Sequence, residues 1–255
     1  MTVTFDHVVI TVKNLDQAIT DFSKLGFHVT RGGAHGRTEM AMVLFADGTY
    51  LELITLRSNV LRQILRIAAK AGLLDRLLDR KSDIYRRLSS WFAQPFGPVD
   101  ICVRVPQLDS ILTHWTETGL PCLETAQFER TRPDGQTARW LLGSSVDARL
   151  PFLIQDLTES DIRVPLSDVQ DHANGALGIG GVRVCVDDVA ASHAVYKHAF
   201  PHSQTDVTAS FQFGPTKVAL TEKSPPDRKF EIDLACNGAQ RTLSVGNADI
   251  RLTPS

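Results

Sequence analysis

Hydrophobic positions along this chain fall into short alternating runs separated by amphipathic stretches. Asp6 to Val12 (DHVVITV) alternates like a half-buried strand. Asn14, Leu15 and Asp16 open a helix that Asn14 or Asp16 can cap. Its apolar face runs through Ala18, Ile19, Phe22 and Leu25, and Gly26 ends it. Strand-like text follows in Phe27 to Arg31, a Gly32-Gly33 break, Met40 to Ala46, the hairpin turn Asp47-Gly48, and Tyr50 to Leu56. The unit is β-α-β-β-β.

A shift of 93 positions finds the unit again. Asp100 to Val105 repeats the first strand, Leu108-Asp109 matches Leu15-Asp16, Trp115 matches Phe22, and Gly119 matches Gly26. Strands are expected over Cys122 to Arg130, Ala138 to Leu142 and Leu150 to Asp156, with a turn at Pro133-Asp134-Gly135. A weaker third copy opens at Gly181, with a helix over Val189 to Phe200 and strands near Phe211 and over Lys217 to Thr221. Phe230 to Leu252 reads as short strands that complete a fourth unit without a helix. The expected class is therefore α+β: paired βαβββ units forming a curled mixed sheet, with a helical insertion. The expected division is a two-unit domain over 1–158, a linker over 159–180, and a degenerate third unit with C-terminal strands over 181–255.

The insertion spans 57–96. Leu61, Leu65, Ala68, Ala69, Leu73, Leu77 and Leu78 recur at helical spacing, which predicts one or two amphipathic helices broken near Gly72. Nine basic and three acidic residues give it a local charge of +6, leaving −8 on the rest of the chain. Three readings stand: a solvated basic helix packed beside the sheet, a lid or anion-steering surface, or a membrane or nucleic-acid contact. The last lacks aromatic interleaving and any further basic cluster.

Composition narrows the class. With 43% apolar and 22% charged residues among 255, the chain is globular rather than disordered. A net charge of −2 excludes a uniformly basic surface for nucleic acid. No run of 18 apolar residues exists, and the start reads as a strand rather than a secretory leader. Cys102, Cys122, Cys185 and Cys236 lie far apart without a CxxC, as buried thiols in a reducing cytoplasm would. The expected partner is a small molecule, with no nucleic acid, no membrane, and a possible homodimer. Gly175 to Gly181 (GALGIGG) follows no strand and opens no helix, so it is no nucleotide loop, and no Gly-x-Ser-x-Gly is present.

Strand parity selects the candidate chemistry. His7, Val9 and Thr11 share one face while Val8, Ile10 and Val12 form the apolar one; Tyr50 and Glu52 likewise oppose Leu51 and Leu53. His7 and Glu52 converge if their strands are neighbours. Imidazole with carboxylate is a ligand pair for zinc, iron, manganese, nickel or cobalt. A satisfied core histidine is the plainer alternative for His7, whereas Glu52 within an apolar strand demands a partner. His35, after two glycines, is a third ligand, a general base or a plain loop residue. Asp100 is a ligand or a strand-start cap. Arg130, Arg132 and Trp140 suit an anionic or planar substrate, or make a charged hairpin with a packed indole.

The doubled unit, Asp6-His7 and Tyr50-Leu-Glu-Leu53 resemble the vicinal oxygen chelate superfamily, and more narrowly its glyoxalase-like branch. Similar to that branch are Gly32-Gly33-Ala34-His35, the Arg130 to Gly135 run followed by Trp140, Leu150-Pro-Phe-Leu-Ile154, and the His172 to Ala176 lead-in. The likeness covers roughly 5 to 200 without the insertion. It implies a divalent metal held by the first and last strands of each unit. Carried over, the ligands are His7, Glu52 and Asp100, while the last strand offers Leu153 or Gln155 where many members have glutamate. It further implies a metal-dependent lyase or isomerase that chelates two adjacent oxygens. Glu52 or His35 would be its base, and Arg130, Arg132, Trp140 and Gln155 would face the substrate. An iron-dependent ring-cleaving dioxygenase and a metal-free protein that sequesters a small molecule are the alternatives.

Overall fold

The computed structural model describes residues 3–78, 84–132, 135–165, 171–205, 207, 209–222, 229–245 and 248–254. The first unit runs β1 (Thr4–Thr11), α1 (Leu15–Lys24), β2 (Thr30–His35), β3 (Thr38–Leu44) and β4 (Tyr50–Leu56). Asn14 caps α1, accepting from the Gln17 amide at 2.9 Å, and Gly26 leaves the helix at φ +86°. Three helices follow: α2 (Asn59–Lys70), α3 (Leu74–Leu78) and α4 (Ile84–Trp91). The break near Gly72 is present, at φ +67°, but the insertion contains one more helix than its periodicity suggested. The second unit comprises β5 (Gly97–Arg104), α5 (Leu108–Glu117), β6 (Ala126–Thr131), β7 (Thr137–Gly143) and β8 (Phe152–Asp156).

These eight strands form one curled mixed sheet in the order β2-β3-β4-β1-β5-β8-β7-β6. In each unit the first strand runs parallel to the last (β1 with β4, β5 with β8), and the two first strands pair antiparallel at the centre. The apolar parity of each strand faces the helices: Val8, Ile10, Leu51, Leu53, Ile101, Val103 and Leu153 pack with Leu15 and Phe22 of α1 and Leu108 and Trp115 of α5. The opposite, concave face is covered by the insertion. Leu65, Leu78, Ile84, Trp91 and Phe92 pack there against Val9, Ile54, Leu56, Cys102, Phe152 and Ile154. At the two ends of the sheet order, β2 and β6 come close. A Cβ on Gly32 would stand 1.9 Å from Met40 Sδ and 3.2 Å from Arg130 Nη1.

The short helix α6 (Ser160–Arg163) leads to β9 (Ala176–Val186), α7 (Val189–Ala199), β10 (Ser210–Phe213), β11 (Thr216–Glu222), β12 (Phe230–Cys236), β13 (Arg241–Val245) and β14 (Ala248–Pro254). Strand β9 begins at Ala176, so most of GALGIGG, expected as linker, is strand. The second sheet has the order β10-β11-β9-β12-β14-β13, again with first and last strands parallel (β9 with β11, β12 with β14). Its inner face joins the helix-side core of the first sheet. The Trp115 indole donates to the Ala199 carbonyl at 3.0 Å and the Tyr196 hydroxyl to the Arg149 carbonyl at 2.9 Å, one buried and one part-buried polar link between the halves. All four cysteines are free thiols.

Candidate functional site

The concave face carries the polar groups that parity selected. Strand β1 sits beside β4 with His7 level with Tyr50 and Val9 level with Glu52. The structure brings His7 and Glu52 together, with Nε2 3.5 Å from Oε2. The imidazole stacks on the Tyr50 ring at 4.5 Å and meets the Phe152 edge at 5.5 Å. His7 is buried, whereas the Glu52 side chain keeps 16% of its surface exposed. Glu52 is the member that solvent reaches.

The other imidazole nitrogen is anchored by a residue that alternation alone would send to the far side. Asp6 lies at a register shift between Phe5 and His7, where two residues of β1 oppose a single step of β5. A bulge of this kind re-aims a side chain, and Asp6 turns to meet His7 Nδ1 at 2.7 Å. Arg163 of α6 donates to both carboxylate oxygens, Nη1 to Oδ1 at 3.1 Å and Nη2 to Oδ2 at 2.8 Å. Arg104 adds Nε to Oδ2 at 2.7 Å. Arg163 also donates to the Tyr50 hydroxyl at 2.9 Å and, through Nε, to Asp156 at 2.5 Å. Asp6, His7, Tyr50 and Arg163 are buried, whereas Asp156 and Arg104 are part-exposed.

Charge follows from that packing. Burial works against the Asp6 carboxylate, but Arg163, the His7 hydrogen bond and Arg104 outweigh it and hold its pKa well below the ordinary value. Burial likewise pulls His7 down. Its interactions with Tyr50 and Cys102 and the Asp6 bond push it up, and the balance lies well above the ordinary value. Burial raises the Tyr50 hydroxyl and moves the Cys102 thiol up to about 11, so both are neutral at pH 7. With Tyr50 and Cys102 neutral, the Asp6 carboxylate is the charge in contact with His7, and it favours the protonated ring.

The remaining expected residues divide. Arg130 reaches the same neighbourhood, donating from Nη2 to the Arg163 carbonyl at 2.7 Å and from Nη1 towards Met40 Sδ at 3.5 Å. Its Nε is buried without a hydrogen-bond partner. Arg132 lies just past β6, its amide donating to the Gln136 carbonyl. Trp140 is packed, stacked on Phe128 with centroids 6.2 Å apart. Gln155 points to the helix side, where its Oε1 accepts from the Leu108 amide at 2.6 Å and caps α5. His35 ends β2, but its side chain lies outside the described residues, as do Pro133 and Asp134 of the hairpin turn. His172 and Asn174 brace the first unit: His172 accepts from the His28 amide and contacts the Leu44 carbonyl, and Asn174 donates to the Leu25 carbonyl.

Asp100 is not brought to His7. It stands level with Val9, and Cys102 is the residue across from His7. Both Asp100 oxygens are taken: Arg87 of α4 binds them through Nε and Nη2, each at 2.7 Å, the Trp91 indole donates at 2.7 Å, and the Ile101 amide at 2.9 Å. The relation that exchanges β1 and β5 carries Val9 onto Cys102. Glu52, level with Val9, then has Phe152, level with Cys102, as its counterpart. Neither Leu153 nor Gln155 occupies that place, because both lie on the helix side.

The divalent ion implied by the resemblance can be tested against these donors. Of the four strand positions, two hold His7 and Glu52; the third is a carboxylate locked by a guanidinium, and the fourth is Phe152. A second grouping exists, since Asp6, His7 and Cys102 each place one ligand atom within 4.8 Å of the others. There a dication would stand close to the guanidinium groups of Arg163 and Arg104, which already pair with Asp6. Asp6, His7 and Cys102 form a candidate metal-binding group, whereas the four-strand ligand set implied by the resemblance is incomplete at Asp100 and Phe152.

Asp6, Arg163, Arg87 and Trp91 were not among the expected site residues, although Asp6 belongs to the Asp6-His7 motif. Ile84, Arg87 and Trp91 share one helical face, and an arginine among apolar face positions is the mark of a buried, paired cation.

A family model described as "Glyoxalase-like domain" matches residues 5–200. No curated protein matches the chain. Among solved structures, a hypothetical protein from Staphylococcus aureus superposes with a TM-score of 0.74 at 15% identity, covering 100% of both chains. Methylmalonyl-CoA epimerase from Mycobacterium tuberculosis gives a TM-score of 0.36 at 16% identity, over 60% of this chain and 86% of that one. An extradiol ring-cleaving dioxygenase from B. fuscum gives 0.49 at 8% identity, over 98% and 70%.

Proposed function

The chain belongs to the glyoxalase-like domain family of the vicinal oxygen chelate superfamily, and from that premise we propose that its eight-stranded sheet holds a small-molecule site working without a resident metal. Glu52 is the proton acceptor and the His7 imidazolium its electrostatic partner. The observation that carries this reading is the 3.5 Å approach of His7 Nε2 to Glu52 Oε2, with Nδ1 already committed to Asp6. A histidine anchored through one nitrogen presents the other in a fixed direction. Glu52 takes a proton from a carbon beside a carbonyl group, and the electron pair left behind moves onto the carbonyl oxygen. Arg130 Nε, a donor without a partner in the protein, suits such an oxygen. Reactions of this class are isomerisations and eliminations of small oxygenated compounds. An iron-dependent ring cleavage has less support, because it needs a ligand set that Asp100 and Phe152 do not supply.

The test is solvent-deuterium exchange at the carbon next to the carbonyl in a panel of 2-oxo and 2-hydroxy acids. Wild-type protein is expected to catalyse exchange on at least one compound, unaffected by EDTA, with Glu52→Gln slower by about 10² or more. Exchange that requires added divalent metal and vanishes with chelator defeats the metal-free reading. The apolar cluster of Trp91, Phe128, Trp140, Leu142 and Ile154 packed on the same sheet face favours a second reading, in which the site holds an aromatic compound without chemistry. Ligand-dependent stabilisation unchanged in Glu52→Gln, together with no exchange, supports that alternative.

A further inference from the structure

Of the ten large apolar side chains standing in solvent among the described residues, five fall within eighteen consecutive residues of the insertion. They are Val60 (68% exposed), Ile64 (49%), Ile67 (66%), Leu73 (51%) and Leu77 (46%). At 100° per residue Val60, Ile64 and Ile67 occupy an arc of about 60° on α2. Leu61 and Leu65 continue the same apolar arc and pack towards the concave face. Half of the apolar surface of α2 is therefore covered by the protein and half is bare.

Cations border the bare half. Arg57, Lys70 and Arg76 are exposed, and Arg66 is half-buried over the Phe96 ring, 5.2 Å from its centroid. Two further insertion cations serve the fold: Arg87 binds Asp100, and Arg62 donates to the Lys13 and Leu56 carbonyls. Among the described residues of α2, α3 and their flanks, Arg57, Lys70 and Arg76 are the exposed cations against one exposed acid, Asp75, which pairs with Arg86.

We propose that α2 and α3 seat this protein on an anionic membrane surface, with Val60, Ile64, Ile67, Leu73 and Leu77 entering the lipid interface and Arg57, Lys70 and Arg76 meeting the headgroups. Among the described residues no helix is long and apolar enough to cross a membrane; this contact lies in the plane of the interface. Charge selects the occupant. Pairing the stripe with its copy on a second chain would set Arg57, Lys70 and Arg76 against the same cations. An anionic surface complements them, and the negative remainder of the chain orients the insertion towards it. A nucleic acid has phosphates for the cations but no use for the exposed aliphatic side chains.

Co-sedimentation with vesicles tests this, comparing phosphatidylcholine containing phosphatidylglycerol with pure phosphatidylcholine. The wild-type chain is expected to partition onto the anionic vesicles and to be released as salt rises. Ile64→Glu with Ile67→Glu is expected to weaken partitioning by about tenfold or more, and Lys70→Glu to weaken it to a smaller degree, each with an unchanged thermal midpoint. Wild-type protein remaining in the supernatant with anionic vesicles at low salt overturns the proposal. So does equal binding to both vesicle types, or a dimer in solution that the Ile64→Glu, Ile67→Glu variant splits, which would give the stripe to a second copy.

Discussion

Arg163 grips Asp6 through both terminal nitrogens, at 3.1 and 2.8 Å, although the two residues lie 157 positions apart. The pair ties the segment leaving the eight-stranded sheet to its central strand. Through Asp6 it sets the charge and orientation of His7.

Arg163→Met is expected to cost about 3–5 kcal/mol in urea denaturation, because it removes the bidentate partner of the buried Asp6 carboxylate and leaves the part-exposed Arg104 and the His7 ring. If the site reading holds, the same substitution removes a cation beside the Asp6–His7 pair and moves the His7 titration further above its ordinary range, followed by NMR of labelled histidine. A loss below 1 kcal/mol with unaltered His7 titration would show that Arg104 suffices.

Stability is expected to fall at both ends of the pH range. Asp6 has a depressed folded pKa, so its contribution is present above the unfolded value near 3.9 and is lost as pH falls through the folded one. His7 has a raised folded pKa, so its contribution is whole below about 6.5 and is lost as pH rises through the folded value. The pair stabilises the fold most between about pH 4 and 6.5. Urea midpoints across pH check this, and His7→Asn should flatten the alkaline limb.

Asp100→Asn weakens the hold of the insertion on the concave face, since Arg87 and Trp91 both end on that carboxylate. The expected cost is about 3–5 kcal/mol, from leaving Arg87 buried without its counter-charge. Tryptic cleavage within 57–92 should accelerate before the rest of the chain opens. Uniform cleavage kinetics would show that the insertion and the sheet unfold as one.

Gly143→Val should destabilise by about 1–3 kcal/mol. A Cβ there would stand 2.8 Å from Leu112 Cδ1 and 3.0 Å from Leu108 Cδ1, where α5 lies on β7. Thermal unfolding measures it, and a Leu112→Ala background should recover part of the loss.

The alternation of β1 and β4 placed His7 and Glu52 on one face in the sequence because side-chain direction in a strand has period two and both strands are regular there. Asp6 escaped that logic because a bulge breaks the period, and no residue type announced it. Asp100 was found through the constant offset from His7, but its engagement by Arg87 depends on a helix docking from thirteen positions away. The last-strand counterpart was misplaced at Leu153 or Gln155 because the hairpins of the two units differ in length, so the offset that holds through the helices fails beyond them. Phe152 emerges once strand pairing is known.

The central position of β1 has a consequence for synthesis. Its parallel neighbour β4 leaves the ribosome first, and its antiparallel neighbour β5 follows only after the whole insertion. From Thr11 to Gly97, translation takes on the order of ten seconds, during which the edge of β1 that β5 will cover stays unpaired. Over that interval the nascent first unit presents a bare strand edge to the cell, and chaperone capture should be most frequent then.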